Sequence, residues 1–143
     1  MPPLKAFHAS DVVDNLMSNE CRARLVGADI AIQGMSIDSR AVEKGCLFVC
    51  KGVSFKPQFL SMALASGASA YMCEKSAEEA LARVAPDAPH IVAEDIRRAM
   101  ALAAAFMYDH PDRALNVIGI TGTNGKTTTT YLLKHLLEAK LDA

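Results

Sequence analysis

The chain has 143 residues and a formal net charge of −1, with 51% hydrophobic and 22% charged residues. This composition is typical of a folded globular protein and excludes a disordered one. The near-zero charge excludes the basic surface that nucleic acids and anionic membranes require, and no apolar run is long enough to span a bilayer. The N-terminal sequence lacks the apolar segment of a secretory signal, so a cytoplasmic location is expected.

The first half of the chain predicts one helix and two strands. Ser10 is predicted to N-cap a short helix with Val12 and Leu16 on its apolar side. Residues 31–38 predict a strand, and the apolar run CLFVC (46–50) predicts a buried one. The cysteines of that run favour small buried side chains over a zinc site, because no histidine lies within the segment.

The next elements alternate between helix and strand. Pro57 is predicted to begin a helix and Gly67 to end it, and residues 68–74 predict another strand. Ser76 and Glu79 form the S-x-x-E pattern of a capping box.

Two further elements extend this alternation. Residues 90–95 predict a strand, and apolar spacing over 96–108 predicts a helix that stops before Pro111. The alternation indicates an α/β fold with a mainly parallel sheet.

A glycine-rich loop follows a further predicted strand, LNVIGI (115–120), and precedes a helix predicted from about Lys126. Closely spaced glycines allow the backbone N–H groups to surround an anion, and the positive end of the helix faces the same anion. Lys126 is suited to the β/γ-phosphates and the Thr127 hydroxyl to Mg²⁺. Ile120 stands where the strict phosphate-loop pattern has its first glycine. The order of strand, glycines, GKT and helix predicts ATP or GTP binding rather than a plain turn with a solvated lysine. The predicted nucleotide-binding residues are Gly122, Thr123, Asn124, Gly125, Lys126, Thr127 and Thr128.

Two separate stretches resemble the Mur ligases, the ATP-dependent enzymes that build the peptide of bacterial peptidoglycan. TGTNGKTTTT (121–130) resembles their ATP loop. SIDSRAVEKGCLFVCKG (36–52) resembles the N-terminal signature of the MurE type, and residues 55–75 are similar to the helix and strand that follow it. The resemblance covers about residues 30–75 and 114–131.

The resemblance implies a domain organisation for this chain. Residues 1–95 would form a small α/β domain that binds UDP-MurNAc, and residues 96–113 a helix and linker. Residues 114–143 would supply the first strand, phosphate loop and helix of a central ATP-binding domain. The chain is then expected to be an N-terminal portion of a longer enzyme and inactive alone.

The implied reaction adds the third residue, an amino acid, to UDP-MurNAc-L-Ala-D-Glu. ATP with Mg²⁺ phosphorylates the terminal carboxylate of the substrate, and the amino group of the incoming amino acid attacks the acyl phosphate. The implied catalytic residues are Lys126 and Thr127, with Thr127 at the metal. The apolar side of the last helix is expected to favour association between copies, through Leu132, Leu133, Leu136 and Leu137.

The resemblance also implies substrate-binding residues in two loops. The uridine contacts of the family correspond to Ile37 and Ser39, with Arg40 suited to phosphate. A second UDP loop corresponds to Val53, Ser54 and Phe55. An aromatic ring at position 55 is suited to stacking on uracil, and the neighbouring Lys56 is a further candidate for the diphosphate.

Other interpretations stay open at this point. The D-S-R sequence at 38–40 also fits an Asx-type turn with a structural ion pair. A MurF-type ligase shares both motifs, and a folylpolyglutamate-type ligase shares the loop but lacks the UDP-binding domain. A non-catalytic module that binds a nucleotide sugar is the alternative from a different functional class.

Overall fold

The computed structural model describes residues 6–52 and 55–141. The chain divides between Pro111 and Asp112 into two compact units. None of the helices in the described ranges is long and apolar enough to cross a membrane.

The first unit contains seven strands and four α-helices among its described residues. In chain order these are β1 (Phe7–His8), α1 (Ala9–Ser18), β2 (Ala23–Val26), β3 (Ala31–Ile32), β4 (Gly34–Ser36), β5 (Cys46–Val49), α2 (Pro57–Ala65), β6 (Ala70–Glu74), α3 (Glu78–Val84), β7 (His90–Ala93) and α4 (Ile96–Met107).

A five-stranded sheet with the order β2-β7-β6-β5-β4 forms the centre of this unit. Strands β4, β5, β6 and β7 are parallel, and β2 pairs antiparallel with β7 at one edge. Helices α2 and α3 connect successive parallel strands, as parallel pairs require. The predicted α/β fold with a mainly parallel sheet is therefore confirmed.

Alternating side chains of the strands build a core on each face of the sheet. On one face, residues such as Leu47, Met72 and Ile91 pack with α1 and α4. On the other face, residues such as Phe48 and Tyr71 pack with α2 and α3. Helix α4 thus contributes to the core of the first unit, through Ile96, Ala99, Ala103 and Met107.

The predicted start of the first helix is wrong. Helix α1 begins at Ala9, and His8 stands at its N-cap, with a capping box to Asp11. Ser10 lies inside the helix, where its hydroxyl donates to Asp29 Oδ2 at 2.7 Å. A carboxylate 19 residues away therefore takes the hydroxyl that the local pattern assigned to the cap.

The strand predicted over 31–38 is divided into two short strands. Strand β3 pairs with β1 in a separate two-stranded sheet, whereas β4 pairs with β5. Gln33 lies between them and donates its backbone N–H to the carbonyl of Gly45 at 2.9 Å. The chain therefore changes sheets within the predicted strand.

The capping box predicted for α3 is also absent from the described structure. Residues Lys75–Ala77 form a 3₁₀ turn, and Ala77 takes the N-cap position. The Ser76 hydroxyl donates to Glu74 Oε2, and Glu79 pairs with Arg83 four residues later. Both side chains of the predicted box thus have other partners.

A 3₁₀ turn at Pro111–Arg113 spans the division, and the second unit contains helix α5 (Lys126–Leu141). Helix α5 begins where the glycine loop predicts it. The segment 115–120, predicted as a strand, pairs with no strand in the described part of the chain. A lone extended segment has no neighbour to accept its backbone hydrogen bonds, so it forms no sheet here.

Candidate functional site

A cavity of about 410 Å³ lies beside the loops that follow β4 and β5. Loops at the carboxyl ends of parallel strands are the usual place for ligands in open α/β sheets. The cavity is lined by Ile37, Asp38, Ser39, Arg40, Phe48, Lys51, Gly52, Phe55, Phe59 and Met62. The structure therefore brings together four residues predicted from two separate loops: Ile37, Ser39, Arg40 and Phe55.

The turn after β4 is held by side chains at both of its ends. The Asp38 carboxylate accepts the backbone N–H of Arg40 at 3.0 Å, and also its Nε at 2.9 Å and Nη2 at 2.7 Å. The Ser36 hydroxyl accepts the N–H of Asp38 at 3.2 Å and donates to its carbonyl at 3.0 Å. The Asx-type turn and ion pair considered from the sequence are thus both present.

The Asp38–Arg40 pair also fixes the charge state of the turn. Hydrogen bonds from the side chain and then the backbone of Arg40 lower the pKa of Asp38 to about 2. The same contact raises the pKa of Arg40 above its ordinary value. Both groups are therefore ionised at neutral pH.

Ser39 is only 8% exposed, although its neighbours Ile37 and Arg40 are exposed. Its hydroxyl has no hydrogen-bond partner among the residues that the structure describes. A hydroxyl both donates and accepts, so it is available to either kind of ligand group at the cavity.

Apolar side chains supply the other walls of the cavity. Phe48 comes from the core and is 1% exposed, whereas Ile37 is 62% exposed. The rings of Phe55 and Phe59 meet edge to face, with centroids 6.4 Å apart. A flat aromatic ligand group can pack between such surfaces.

The lysine at this cavity is Lys51, which the sequence interpretation did not select. Lys51 lies on the wall, and within the described ranges no carboxylate pairs with it. Lys56, which was considered for the diphosphate, stands at the N-cap of α2 and does not line the cavity. The position of Lys51 directly after a buried strand is the one sequence signal that pointed to it. Val53 and Ser54 lie outside the described residues.

The second unit forms the phosphate loop. Gly122 and Gly125 have φ values of 149° and 77°, which side chains other than glycine rarely adopt. Lys126 begins α5 and its Nζ donates to the carbonyl of Gly122 at 2.7 Å, across the loop. The first backbone bond of the helix runs from Thr129 N–H to the carbonyl of Gly125. The N–H groups between them are therefore free of helical partners and face the region where an anion would bind.

The side chains predicted to bind nucleotide and metal lie along this loop and the first turn of α5. Thr123, Asn124, Thr127 and Thr128 are all exposed. An exposed lysine, the N-terminus of a 16-residue helix and an exposed threonine hydroxyl fit a nucleotide triphosphate with its metal ion.

No cluster suited to a metal ion occurs among His, Cys, Asp and Glu side chains in the described ranges. All four cysteines are free and buried. Burial raises the pKa of Cys73 to about 11 and raises that of Cys50 further, so both are neutral thiols. The prediction that the cysteines are small buried side chains is confirmed.

Comparison with known proteins gives consistent results for the two units. The family model of the Mur ligase middle domain matches residues 120–143. The chain is 39% identical over 134 residues to the UDP-N-acetylmuramyl-tripeptide synthetase of Limosilactobacillus reuteri. This match covers 94% of the chain and 23% of the relative.

A second relative is named UDP-N-acetylmuramoyl-L-alanyl-D-glutamate–2,6-diaminopimelate ligase 1, from Clostridium acetobutylicum. It is 40% identical over 113 residues, which are 78% of the chain and 22% of the relative. The chain thus spans about a quarter of the length of these curated relatives.

Solved structures of MurF from Acinetobacter baumannii share the fold. Two of them match with TM-scores of 0.61 and 0.63 at 24% and 23% identity. Each match covers 96% of the chain, and 28% or 29% of the solved chain.

Proposed function

Since the chain belongs to the Mur ligase family, we propose that it carries the UDP-binding unit and the phosphate loop of an ATP-dependent ligase. The proposed reaction adds the third amino acid to UDP-MurNAc-L-Ala-D-Glu in peptidoglycan synthesis. The observation that carries the proposal is the cavity at the D-S-R turn, which combines aromatic walls with a hydroxyl and a lysine that have no partner among the described residues.

Uracil packs against the apolar walls of this cavity. Phe55 offers its ring face, Ile37 covers the opposite exposed side, and the Ser39 hydroxyl hydrogen bonds to the polar edge of the nucleoside. Stacking on an aromatic ring accepts any base, so the hydroxyl and the size of the cavity provide the selectivity.

Lys51 meets the diphosphate. It is the cavity lysine without a carboxylate partner among the described residues, and an ammonium group gains most from a ligand with concentrated negative charge. Val53 and Ser54 stay candidates for the same ligand on the grounds of the family resemblance alone.

The phosphate loop serves the second substrate. ATP supplies the phosphoryl group that activates the carboxylate of the sugar peptide. Lys126 exchanges the Gly122 carbonyl for phosphate oxygens, and the N–H groups at the start of α5 bind the same anion. Thr127 is proposed to ligate Mg²⁺, which neutralises charge on the transferring group.

The MurE-type assignment is preferred to the MurF type because of sequence similarity. The relatives at 39–40% identity have tripeptide synthetase or diaminopimelate ligase names. The MurF structures are below 25% identity, where likeness reflects the fold.

A chimera tests the proposal in a complete enzyme. The 113 aligned residues of this chain replace those of the Clostridium acetobutylicum diaminopimelate ligase. We expect ATP-dependent joining of diaminopimelate to UDP-MurNAc-L-Ala-D-Glu, with release of ADP. Lys126→Ala in the chimera should abolish turnover, whereas Ser39→Ala should chiefly raise KM for the UDP substrate.

Two outcomes separate the alternatives. Use of UDP-MurNAc-tripeptide in place of the dipeptide substrate would support the MurF type. A folded chimera that binds UDP but never consumes ATP would support the non-catalytic module. The 143 residues alone are expected to bind UDP without turnover, because they span about a quarter of the relatives.

A further inference from the structure

We infer that Asp38 and Arg40 are a positioning pair, which holds the turn that presents the Ser39 hydroxyl to the nucleoside, and that Arg40 does not bind the diphosphate. This inference rests on the proposed function, since it concerns the same UDP cavity. It differs from the role that the sequence suggested for Arg40, which was contact with phosphate.

One edge of the Arg40 guanidinium is already hydrogen bonded to the Asp38 carboxylate. Its Nε and Nη2 donate to the two oxygens of Asp38 at 2.9 and 2.7 Å. This is the planar, two-point geometry in which arginine binds a carboxylate best. A phosphate that approached this edge would have to replace both bonds. One that met the remaining Nη1–Nη2 edge would lie close to the Asp38 carboxylate, which already neutralises the guanidinium and repels a second anion.

Hydrogen bonds to Asp38 also fix the backbone on both sides of Ser39. Asp38 Oδ1 accepts the N–H of Arg40 at 3.0 Å, and the Asp38 carbonyl accepts the N–H of Ala41 at 3.0 Å. Ser36 hydrogen bonds to the N–H and the carbonyl of Asp38 from the strand side. The backbone of Ser39 is therefore held by its neighbours, so less conformational freedom is lost when a ligand binds.

The free hydroxyl is the result of this arrangement. Ser36 and Asp38 satisfy the polar groups of the turn, so the Ser39 hydroxyl is not needed for it and has no partner among the described residues. A buried residue with an unused hydroxyl at a cavity wall is suited to a ligand.

The exposure of the ion pair predicts which property its loss will change. The side chains of Arg40 and Asp38 are 81% and 43% exposed, and exposed ion pairs contribute little to folding. Loss of the pair should therefore change ligand affinity much more than the melting temperature.

Calorimetry with two ligands, UDP and uridine, separates a positioning role from a phosphate contact. The variants are Asp38→Ala, Asp38→Asn, Arg40→Ala and the double variant Asp38→Ala/Arg40→Ala, all in the 143-residue chain. Lys51→Ala is the control for a direct phosphate contact, and thermal unfolding is recorded for every variant.

We expect Asp38→Ala and Arg40→Ala each to weaken the binding of uridine by about 3- to 10-fold, which corresponds to one hydrogen bond. The double variant removes both charges together, so it should weaken the binding of UDP and of uridine by the same factor. The double variant should bind uridine no more weakly than Asp38→Ala does, since both changes remove the same contact. Asp38→Asn should rescue part of the loss, because its amide oxygen still accepts the Arg40 N–H. Lys51→Ala should weaken the binding of UDP but not that of uridine.

Four results would overturn the inference. An Arg40→Ala variant that weakens UDP but not uridine would identify Arg40 as a phosphate contact. Additive losses in the double variant would show that the two residues act separately. Affinities equal to those of the wild type would show that the turn needs no pair. A wild-type chain that binds neither ligand would overturn the proposed function together with this inference.

Discussion

Lys51→Ala is expected to weaken UDP binding by about 10- to 60-fold without affecting the fold. Lys51 is half-buried at the cavity, so its charge acts in a medium between bulk water and the protein interior. Two unit charges 4 Å apart attract by about 1 kcal/mol in water and by about 4 kcal/mol at an effective dielectric constant of 20. A hydrogen bond to a charged group contributes about 1.5–3 kcal/mol. A contribution of about 1.5–2.5 kcal/mol from Lys51 to the free energy of UDP binding satisfies both estimates and gives the stated change in Kd.

The assay is titration calorimetry of the wild type and the variant with UDP at about 50 and 300 mM salt. The higher salt concentration should weaken UDP binding by the wild type more than by the variant, because salt screens part of the attraction between Lys51 and the diphosphate. Lys56→Ala is the matched control, since Lys56 stands at the N-cap of α2 and does not line the cavity. Equal affinity of Lys51→Ala and wild type, or an equal loss in Lys56→Ala, would refute this account of the diphosphate.

Further predictions concern the two units separately. Tyr71→Phe should raise the free energy of unfolding by about 1 kcal/mol in denaturant titrations, because the buried hydroxyl has no partner in the described part of the chain; a loss of stability would show that it is bonded. Gly67→Ala should lower that free energy by about 1–2 kcal/mol, since φ is +109° there; an unchanged midpoint would argue against strain. Burial raises the pKa of Cys73 to about 11, so native thiols should react slowly with a disulfide reagent at pH 8 and all four should react after unfolding. Sedimentation should show self-association that Leu132→Glu with Leu136→Glu abolishes, given that both leucines are over 60% exposed; a wild-type monomer at all concentrations would exclude it.

Elements with strong local signals could be predicted from the sequence. The first four residues of the CLFVC run form β5, and all five are buried. Pro57 begins α2, as its fixed φ favours. The GKT sequence marks the start of α5, because the glycines before it set the turn and the helix follows directly.

Elements that depend on distant partners could not be predicted. Strand β2 is four residues long and exists through antiparallel pairing with β7, whose residues lie about 67 positions later in the chain. Ser10 hydrogen bonds to Asp29 rather than capping its helix. The segment 115–120 has a strand-like composition but no neighbouring strand among the described residues.

The candidate site likewise contains features that the sequence could predict and features that it could not. The D-S-R motif indicated the turn, and the aromatic residue at position 55 indicated the second wall. Lys51 could not be chosen over Lys56 from the sequence, because both lie in the same loop region and only the folded chain shows which one faces the cavity. Likewise, the sequence left Arg40 open between a phosphate contact and an ion pair with Asp38, and the two-point contact in the structure decides for the ion pair.

The most direct test of the central claim, that the cavity beside the D-S-R turn binds the uridine diphosphate group, is a titration of the ¹⁵N-labelled chain with UDP followed by NMR. The account predicts saturable amide shifts in residues 36–40 and 48–52 and around Phe55, with little change in α1 and α4 on the opposite face of the sheet. An absence of shifts at millimolar UDP, or shifts confined to other surfaces, would contradict it.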